Sequence, residues 1–468
     1  VYEAWVKANP ANHGSGWGTW PRFHPEMPLA ESVVSDAAAA SDTAVVVIGR
    51  AAGEEREAAL IKGSYYLTDL ETDMLDKVTA QFENVVVLLN SGNIIDMGWL
   101  DDYPGIDSVL YVWQGGMESG NAIADVLSGD VAPSGKLMAT IANTYEDYPS
   151  AGNFGASAYA NYVEDIFVGY RYFETFEGAK DKVKYPFGFG LTYSDFEIVT
   201  NNITVADGKV TLDVTVNNVG GYKGKEVVQV YHGAPQGQLG KASKSLAAYA
   251  KTNTIPAGGS ENITLSFAVD NMSSYDDGGY TGHKSAWVME AGDYPIYVGN
   301  SVRSAAQVGN YNEPGLRVVE QLEEAGAIYP ASNAFNRLRP EEQDGKLTEN
   351  WADMTPVRSV DLKDRIEENF PEDKAYGQGD QGIDLIDVYN GEATLDAFMA
   401  QMDEDELMTL TTGAGEMSHP LGIGYNASVY GGINTSMINK YGIPPVSTND
   451  GPSGIRMIET GTLSLIPT

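Results

Sequence analysis

Strand-length runs of apolar residues separated by helical patterns constrain this chain most. Ala44-Val45-Val46-Val47-Ile48-Gly49, Val85–Leu89 and Val109–Trp113 carry almost no polar alternation. Such runs read as strands buried on both faces, which is the habit of parallel sheets. Between them Leu29 to Ala40 is Ala-rich and helical. The next helix opens on Thr68-Asp69-Leu70-Glu71, a capping box, and keeps Leu67, Glu71, Met74, Val78 and Phe82 near one face. Asn121–Leu127 reads as a further helix, ending at Gly129. The alternation predicts an α/β domain with a mainly parallel sheet over residues 1–196.

After Phe196 the period changes to two. Val210, Leu212, Val214 and Val216 alternate with polar residues, as do Ile263, Leu265 and Phe267, then Tyr294, Ile296 and Val298. Turn signals such as Asp207-Gly208, Gly220-Gly221 and Asp277-Gly278-Gly279 fall between them. Residues 197–305 therefore read as an antiparallel β-sandwich. Residues 306–394 are charged and Pro-punctuated, and read as a connector with helical pieces, for instance around Leu316–Ala325. A helical pattern returns with Leu395, Phe398, Met399 and Met402, then Glu404–Leu410. Gly-rich stretches and a short strand at 445–448 follow. The Tyr/Phe-rich run Tyr162 to Phe196 reads as core and edge strands. The whole is a multidomain α/β plus all-β chain, and its 468 residues agree with about three domains.

Charge and composition exclude several functions. With 29 Lys+Arg against 65 Asp+Glu the formal charge is −36, which would repel phosphate backbones and anionic headgroups. No nucleic-acid or membrane partner is expected. There are no cysteines, which removes thiolate catalysis and Cys-ligated zinc and fits a reducing compartment. The five histidines are scattered without His-x-x-x-His spacing, so no metal is expected. Nor does a phosphate or dinucleotide loop call for a cofactor. No charged n-region and apolar h-region follow Val1. The expected location is the bacterial cytoplasm, with secretion left open.

Three places could carry chemistry. Gly49-Arg50-Ala51-Ala52-Gly53-Glu54-Glu55-Arg56-Glu57 lies just past the carboxyl end of a strand, where open α/β sheets place ligands. Glu54 beside Glu55 is a like-charge pair, which raises one carboxyl pKa toward general-acid range. On position and composition alone, a solvated loop fits this stretch better. The second place, Asn449-Asp450-Gly451-Pro452-Ser453-Gly454-Ile455-Arg456, could hold hydroxyls by charge-assisted hydrogen bonds, or be an ordinary turn with an ion pair. The third holds Trp17 and Trp20 in a Gly-rich stretch, for stacking on pyranose rings or for packing.

Together these stretches resemble glycoside hydrolase family 3, especially its bacterial β-glucosidases. The resemblance also rests on Asn84-Val-Val-Val-Leu-Leu-Asn-Ser-Gly92, Pro133-Ser-Gly-Lys-Leu137, Gly169-Tyr-Arg-Tyr-Phe173 and Tyr185-Pro-Phe-Gly-Phe-Gly-Leu-Thr-Tyr193. Gly224-Lys-Glu-Val-Val-Gln-Val-Tyr231 with Glu290-Ala-Gly-Asp-Tyr294 is similar to that family's fibronectin type III-like domain. Asp450–Arg456 is similar to the sugar-binding start of its (β/α)₈ barrel. The domain order resembles a permuted subgroup, with the barrel last. On this footing residues 395–468 are expected to begin a TIM barrel that needs roughly 250 residues when whole, and the α/β domain is expected to lack a segment before Val1.

The resemblance implies a retaining β-glucosidase acting on terminal non-reducing β-D-glucosyl residues of small oligosaccharides or glucosides. Glu54 is then the acid/base, Asp450 and Arg456 hold sugar hydroxyls, and Trp17 and Trp20 are substrate-binding candidates. The family's nucleophile, an Asp in a Ser-Asp-Trp-like motif, matches no residue here. A companion polypeptide carrying the rest of the barrel is therefore expected, and homo-oligomers stay open. The alternatives are a β-xylosidase of the same family and a non-catalytic carbohydrate-binding protein.

Overall fold

A computed structural model describes residues 2–10, 25–51, 59–155, 159–324, 326–328, 331–370, 373–411, 428–430, 435–444, 446–448, 455–457 and 461–463. It divides into two compact units, one of Val1–Trp113 with Ala122–Leu362, the other of Gln114–Asn121 with Lys363–Thr468.

In the first unit β1 (Thr43–Gly49), β2 (Asn84–Asn90) and β3 (Ser108–Tyr111) form a parallel sheet in that order. Helix Asp69–Thr79 starts on the expected capping box, with Thr68 and Glu71 exchanging both bonds. Val46, Ile48, Val85, Val87 and Leu89 pack against Val34, Leu75 and Val78 of the helices. One expectation needs correction. Strand β1 is not buried on both faces, because Val45 and Val47 are about half exposed. The reason is topological: adjacent parallel strands laid down in chain order, each joined by a right-handed crossover, place their connectors on a single face.

A short antiparallel pair, β4 (Ile141–Ala142) with β5 (Val183–Tyr185), closes this layer. The aromatic run between them supplies core, with Phe167, Tyr172, Phe173 and Phe176 buried. Its backbone is mostly turns and short helices such as Tyr170–Phe173 rather than the strands expected.

The sandwich follows. Strands β6 (Phe196–Ala206), β7 (Lys209–Asn218) and β10 (Ser260–Ala268) form one sheet in the order β10-β7-β6. Strands β8 (Val227–His232), β9 (Ser245–Lys251), β13 (Gly292–Gly299) and β14 (Ala306–Glu313) form the other, ordered β14-β13-β8-β9. The alternating residues named above meet in one core with Val228, Val230 and Met289. A third, small sheet joins β11 (Ser274–Asp276), β12 (Ala286–Met289) and β15 (Arg317–Gln321). Thus, where a helix is expected around Leu316–Ala325, Arg317–Gln321 is a strand. Arg317-Val318-Val319-Glu320-Gln321 holds β-branched residues and pairs antiparallel with β12. Likewise β16 (Asn336–Gln343) and β17 (Lys346–Met354) make a hairpin inside the expected connector.

Buried polar bonds join the α/β layer to the sandwich. Gln229 donates to the Gly188 and Asn300 carbonyls at 3.2 and 2.7 Å, and Lys136 pairs with Glu226 at 2.8 Å. Gly188 has φ +79°, and a Cβ there would lie 2.2 Å from the Gln229 amide oxygen, so only glycine permits this approach.

The second unit packs Phe398 of helix Leu395–Ala400, Met402 in the turn before helix Glu404–Thr411, and Met437 and Tyr441 of helix Thr435–Tyr441. Its described strands pair only antiparallel, 428–430 with 446–448 and 455–457 with 461–463.

Candidate active site at the strand ends of the α/β domain

Gly49 and Asn90 form the last rung between β1 and β2. The Arg50 N–H adds a bond to the Asn90 carbonyl at 2.9 Å. The Arg50 side chain is buried and forks onto Glu71, with Nη1 donating to Oε1 at 2.6 Å and Nη2 to Oε2 at 2.9 Å. Its N–H groups also reach the carbonyls of Ser64 at 3.0 Å, Gly49 at 2.8 Å and Tyr66 at 3.3 Å. Such a planar fork suits one carboxylate and several carbonyls at once.

Those partners lie on both sides of residues 52–58. Gly49 and Arg50 precede them, and Ser64 to Tyr66 follow. On the far side Ser64 Oγ accepts the Ala59 N–H at 2.9 Å, and the Tyr65 N–H reaches the Ala59 carbonyl at 3.1 Å. Glu71 completes the arrangement by accepting the Thr68 N–H at 2.8 Å while Thr68 Oγ1 accepts the Glu71 N–H at 3.1 Å. One carboxylate thus caps a helix and balances the guanidinium that ties down the segment's two stems.

A rim of aromatic and acidic groups borders the same edge. Asp96 donates its N–H to the Tyr65 carbonyl at 2.9 Å and accepts the Gly98 N–H at 3.2 Å. Burial raises the Asp96 carboxyl above the ordinary aspartate range, opposed by the Gly98 N–H and the Lys184 charge. Tyr65 stands edge-on to Tyr66 and Tyr145, with ring centres 5.1 and 5.7 Å away. Burial pushes the Tyr65 hydroxyl up, and the Tyr148 and Asp96 charges add to it. Tyr111, at the end of β3, donates to the Asn93 carbonyl, and burial pushes its hydroxyl up to about 12 against the Ser91 hydrogen bond. These phenols stay protonated at neutral pH.

Of the residues singled out from sequence, Glu54, Trp17, Trp20 and Asp450 lie outside the described residues. Arg456 is placed on strand Ile455–Met457, opposite Thr462. The described residues therefore bring none of the five together. They do show Arg50, from the same Gly-Arg motif, in a structural role. Glu71, Asp96, Tyr65 and Tyr111 were not expected at the site. A signal for Asp96 existed, since Ser91–Trp99 leaves β2 at the edge where 50–57 leaves β1. Among the described residues no group of three His, Asp or Glu could hold a metal ion, and no helix is long and apolar enough to cross a membrane.

A parallel α/β layer with a clamped strand-end segment, followed by a fibronectin-like sandwich, defines a multidomain α/β plus β class. Residues 14–193 match the glycosyl hydrolase family 3 C-terminal domain, and residues 226–302 match a fibronectin type III-like domain. The chain therefore carries a glycosyl hydrolase family 3 C-terminal domain followed by a fibronectin type III-like domain. It is 44% identical to a β-glucosidase of Ruminococcus albus over 99% of this chain and 47% of that protein. It is 34% identical to β-glucosidase A of Butyrivibrio fibrisolvens over 94% of this chain and 58% of that one. The solved β-glucosidase of Paenibacillus barengoltzii superposes with TM-score 0.91 at 46% identity, covering 98% of this chain and 50% of that chain. The chain spans about half the length of the curated relatives it matches.

Proposed function

We propose that this chain forms the acid/base-bearing part of a retaining β-glucosidase that releases terminal non-reducing β-D-glucosyl residues from oligosaccharides or glucosides. The observation that carries the reading is the Arg50–Glu71 clamp, which pins both stems of the segment holding Glu54 at the carboxyl ends of the parallel strands. Relatives named β-glucosidases along nearly the whole chain support it.

The chemistry follows from two carboxyl groups about 5–5.5 Å apart. Glu54 gives its proton to the glycosidic oxygen as the bond from C1 to that oxygen breaks. A carboxylate from the barrel attacks C1 and forms the glycosyl-enzyme. Glu54, now ionised, takes a proton from the water that displaces this carboxylate, so the configuration at C1 is retained. Residues 395–468 are the start of the barrel in this reading, with Asp450 and Arg456 holding hydroxyls of the cleaved residue and Trp17 and Trp20 against the sugar. The attacking Asp belongs to further barrel residues, on the same polypeptide or on a companion. Intact-mass analysis of an active sample is expected to find barrel residues in addition to these 468; full turnover by the 468-residue chain alone contradicts it.

The direct test is Glu54→Ala in the active assembly. Cellobiose turnover should fall by about 10²–10⁴-fold, while an aryl glucoside whose leaving group needs no proton loses far less in its first step. Glu55→Ala should be mild on both. Cleavage of cellobiose by Glu54→Ala at the wild-type rate sinks the assignment.

A further inference from the structure

A second cleft, of about 400 Å³, opens in the first unit between the small sheet of the sandwich and the β16–β17 hairpin. That volume lies within the range of small-ligand sites, about 300–1,000 Å³. No residue of the strand-end site contributes to it.

Its walls differ in kind. On one, Tyr275 of β11 and Trp287 of β12 are directly paired across the strands, with ring centres 5.4 Å apart. Both are 39% exposed, an unusual cost for two large aromatics that face no core. On the other, Arg337 is buried among three carboxylates: Asp277 at 2.5 Å, Asp353 at 2.8 Å and Asp165 at 3.0 Å. Tyr280 donates to Asp353 at 3.0 Å, and the Arg339 guanidinium lies 4.6 Å over the Tyr280 ring while also donating to the Gln238 carbonyl.

The inventory of donors and acceptors decides what fits. An ionised carboxylate has about four acceptor positions, so three offer roughly twelve. Arg337 reaches all three acids, twice on Asp277, while Tyr280 and Arg339 reach Asp353 and the Ile166 N–H reaches Asp165, which leaves several positions open. Arg337 and Arg339 are spent on these acids, and Lys241, which with Arg171 also lines the cleft, is spent on Glu290 and the Pro235 carbonyl. The lining is thus near charge balance, and at this wall an anionic ligand would meet open acceptors rather than free donors. A purely apolar ligand would strip water from them without replacing its hydrogen bonds. A ligand with many neutral O–H donors on one edge and a C–H face for the rings satisfies both walls. We propose that this cleft binds a neutral pyranose oligosaccharide, with a ring stacked on Tyr275 and Trp287 and hydroxyls donating to Asp277 and Asp353. The site goes beyond the glucosidase reading, and holds sugar without cleaving it.

The test is calorimetric binding of cellotetraose, xylotetraose and laminaritetraose to the 468-residue chain, with tetragalacturonate as the anionic probe, each repeated in Glu54→Ala. At least one neutral tetrasaccharide should bind at millimolar concentration or tighter and tetragalacturonate should not. Trp287→Ala and Tyr275→Ala should each weaken the binding about tenfold or more, with the melting midpoint lowered by no more than about 4 °C. Because the two aromatics are surface residues on different strands, at least one variant is expected to stay folded. Glu54→Ala should bind as the parent does, so failure of the catalytic assignment leaves this outcome untouched. Absence of binding by all three neutral sugars overturns the proposal, as does undiminished binding by a folded Trp287→Ala or Tyr275→Ala, or equal binding of tetragalacturonate.

Discussion

Arg50 and Arg337 are both buried, yet they are set in opposite company. Among the described residues Arg50 meets one carboxylate, Glu71, and three main-chain carbonyls. The fork ties Glu71 to the stems on both sides of residues 52–58, so the group serves as a fastening for the segment whose sequence holds Glu54. Arg337 meets Asp165, Asp277 and Asp353, and the surplus acceptors face a cleft. The contrast separates two uses of a buried cation. A balanced pair with backbone partners shapes the chain, whereas an outnumbered cation gathers acids that still need donors.

Breaking the balanced pair should have the largest effect. Glu71→Ala leaves a buried guanidinium without its counter-charge and removes a helix cap, and should cost about 3–5 kcal/mol in denaturant unfolding. Replacing both partners, Arg50→Met with Glu71→Leu, should restore much of that stability. The stems of 52–58 would stay unfastened, so activity should not return with it.

His232, which lines the cleft beside Arg171, gives the next effect. Burial pushes its ring down to about 4, with the Arg171 charge in the same direction and the Gly233 carbonyl opposing. The folded pKa is below the unfolded value near 6.5, so the unfolded state binds more protons between them. Stability should therefore be fully present above pH 6.5 and fall by about 3 kcal/mol as pH drops through 4. His232→Gln should flatten that slope in a pH series of unfolding curves; an unchanged slope contradicts the assignment.

Arg337→Leu tests the outnumbered cation. Asp165 and Asp277 keep about a third of their side chains in solvent, so they can hydrate when the cation goes. The loss should be about 1–3 kcal/mol at pH 7 and smaller near pH 4, because burial raises the Asp165 carboxyl and eases its protonation there. A loss as large as that of Glu71→Ala at both pH values would erase the distinction between the two sites. The smallest effect belongs to Trp287→Ala, about 1 kcal/mol or less, because so much of the ring is already in water.

Legibility in the sequence followed the range of the interactions. The capping box at Thr68–Glu71 and the period-two strands of the sandwich depend on neighbours a few residues apart, and they appear within a residue or two of their expected places. Arg317–Gln321 was misread because five residues are too few to show a period, and its strand character comes from pairing with Ala286–Met289. The openness of Val45 and Val47 depends on which face the crossovers take, which no local pattern encodes. The same holds for the sites. Gly49 and Arg50 could be found from their position past a strand, but Glu71 is 21 residues further on. The acids around Arg337 come from three separate stretches, at 165, 277 and 353.

The proposed acid/base is Glu54, in the segment whose stems Arg50 fastens. Glu54→Ala in the active assembly, assayed on 2,4-dinitrophenyl β-D-glucoside with added azide, tests it most directly. Removal of the base leaves the glycosyl-enzyme waiting for a nucleophile that needs no deprotonation. Azide should raise turnover and give β-glucosyl azide as the product, with no such product from the parent or from Glu55→Ala. Turnover indifferent to azide, or rescue of Glu55→Ala instead of Glu54→Ala, would contradict it.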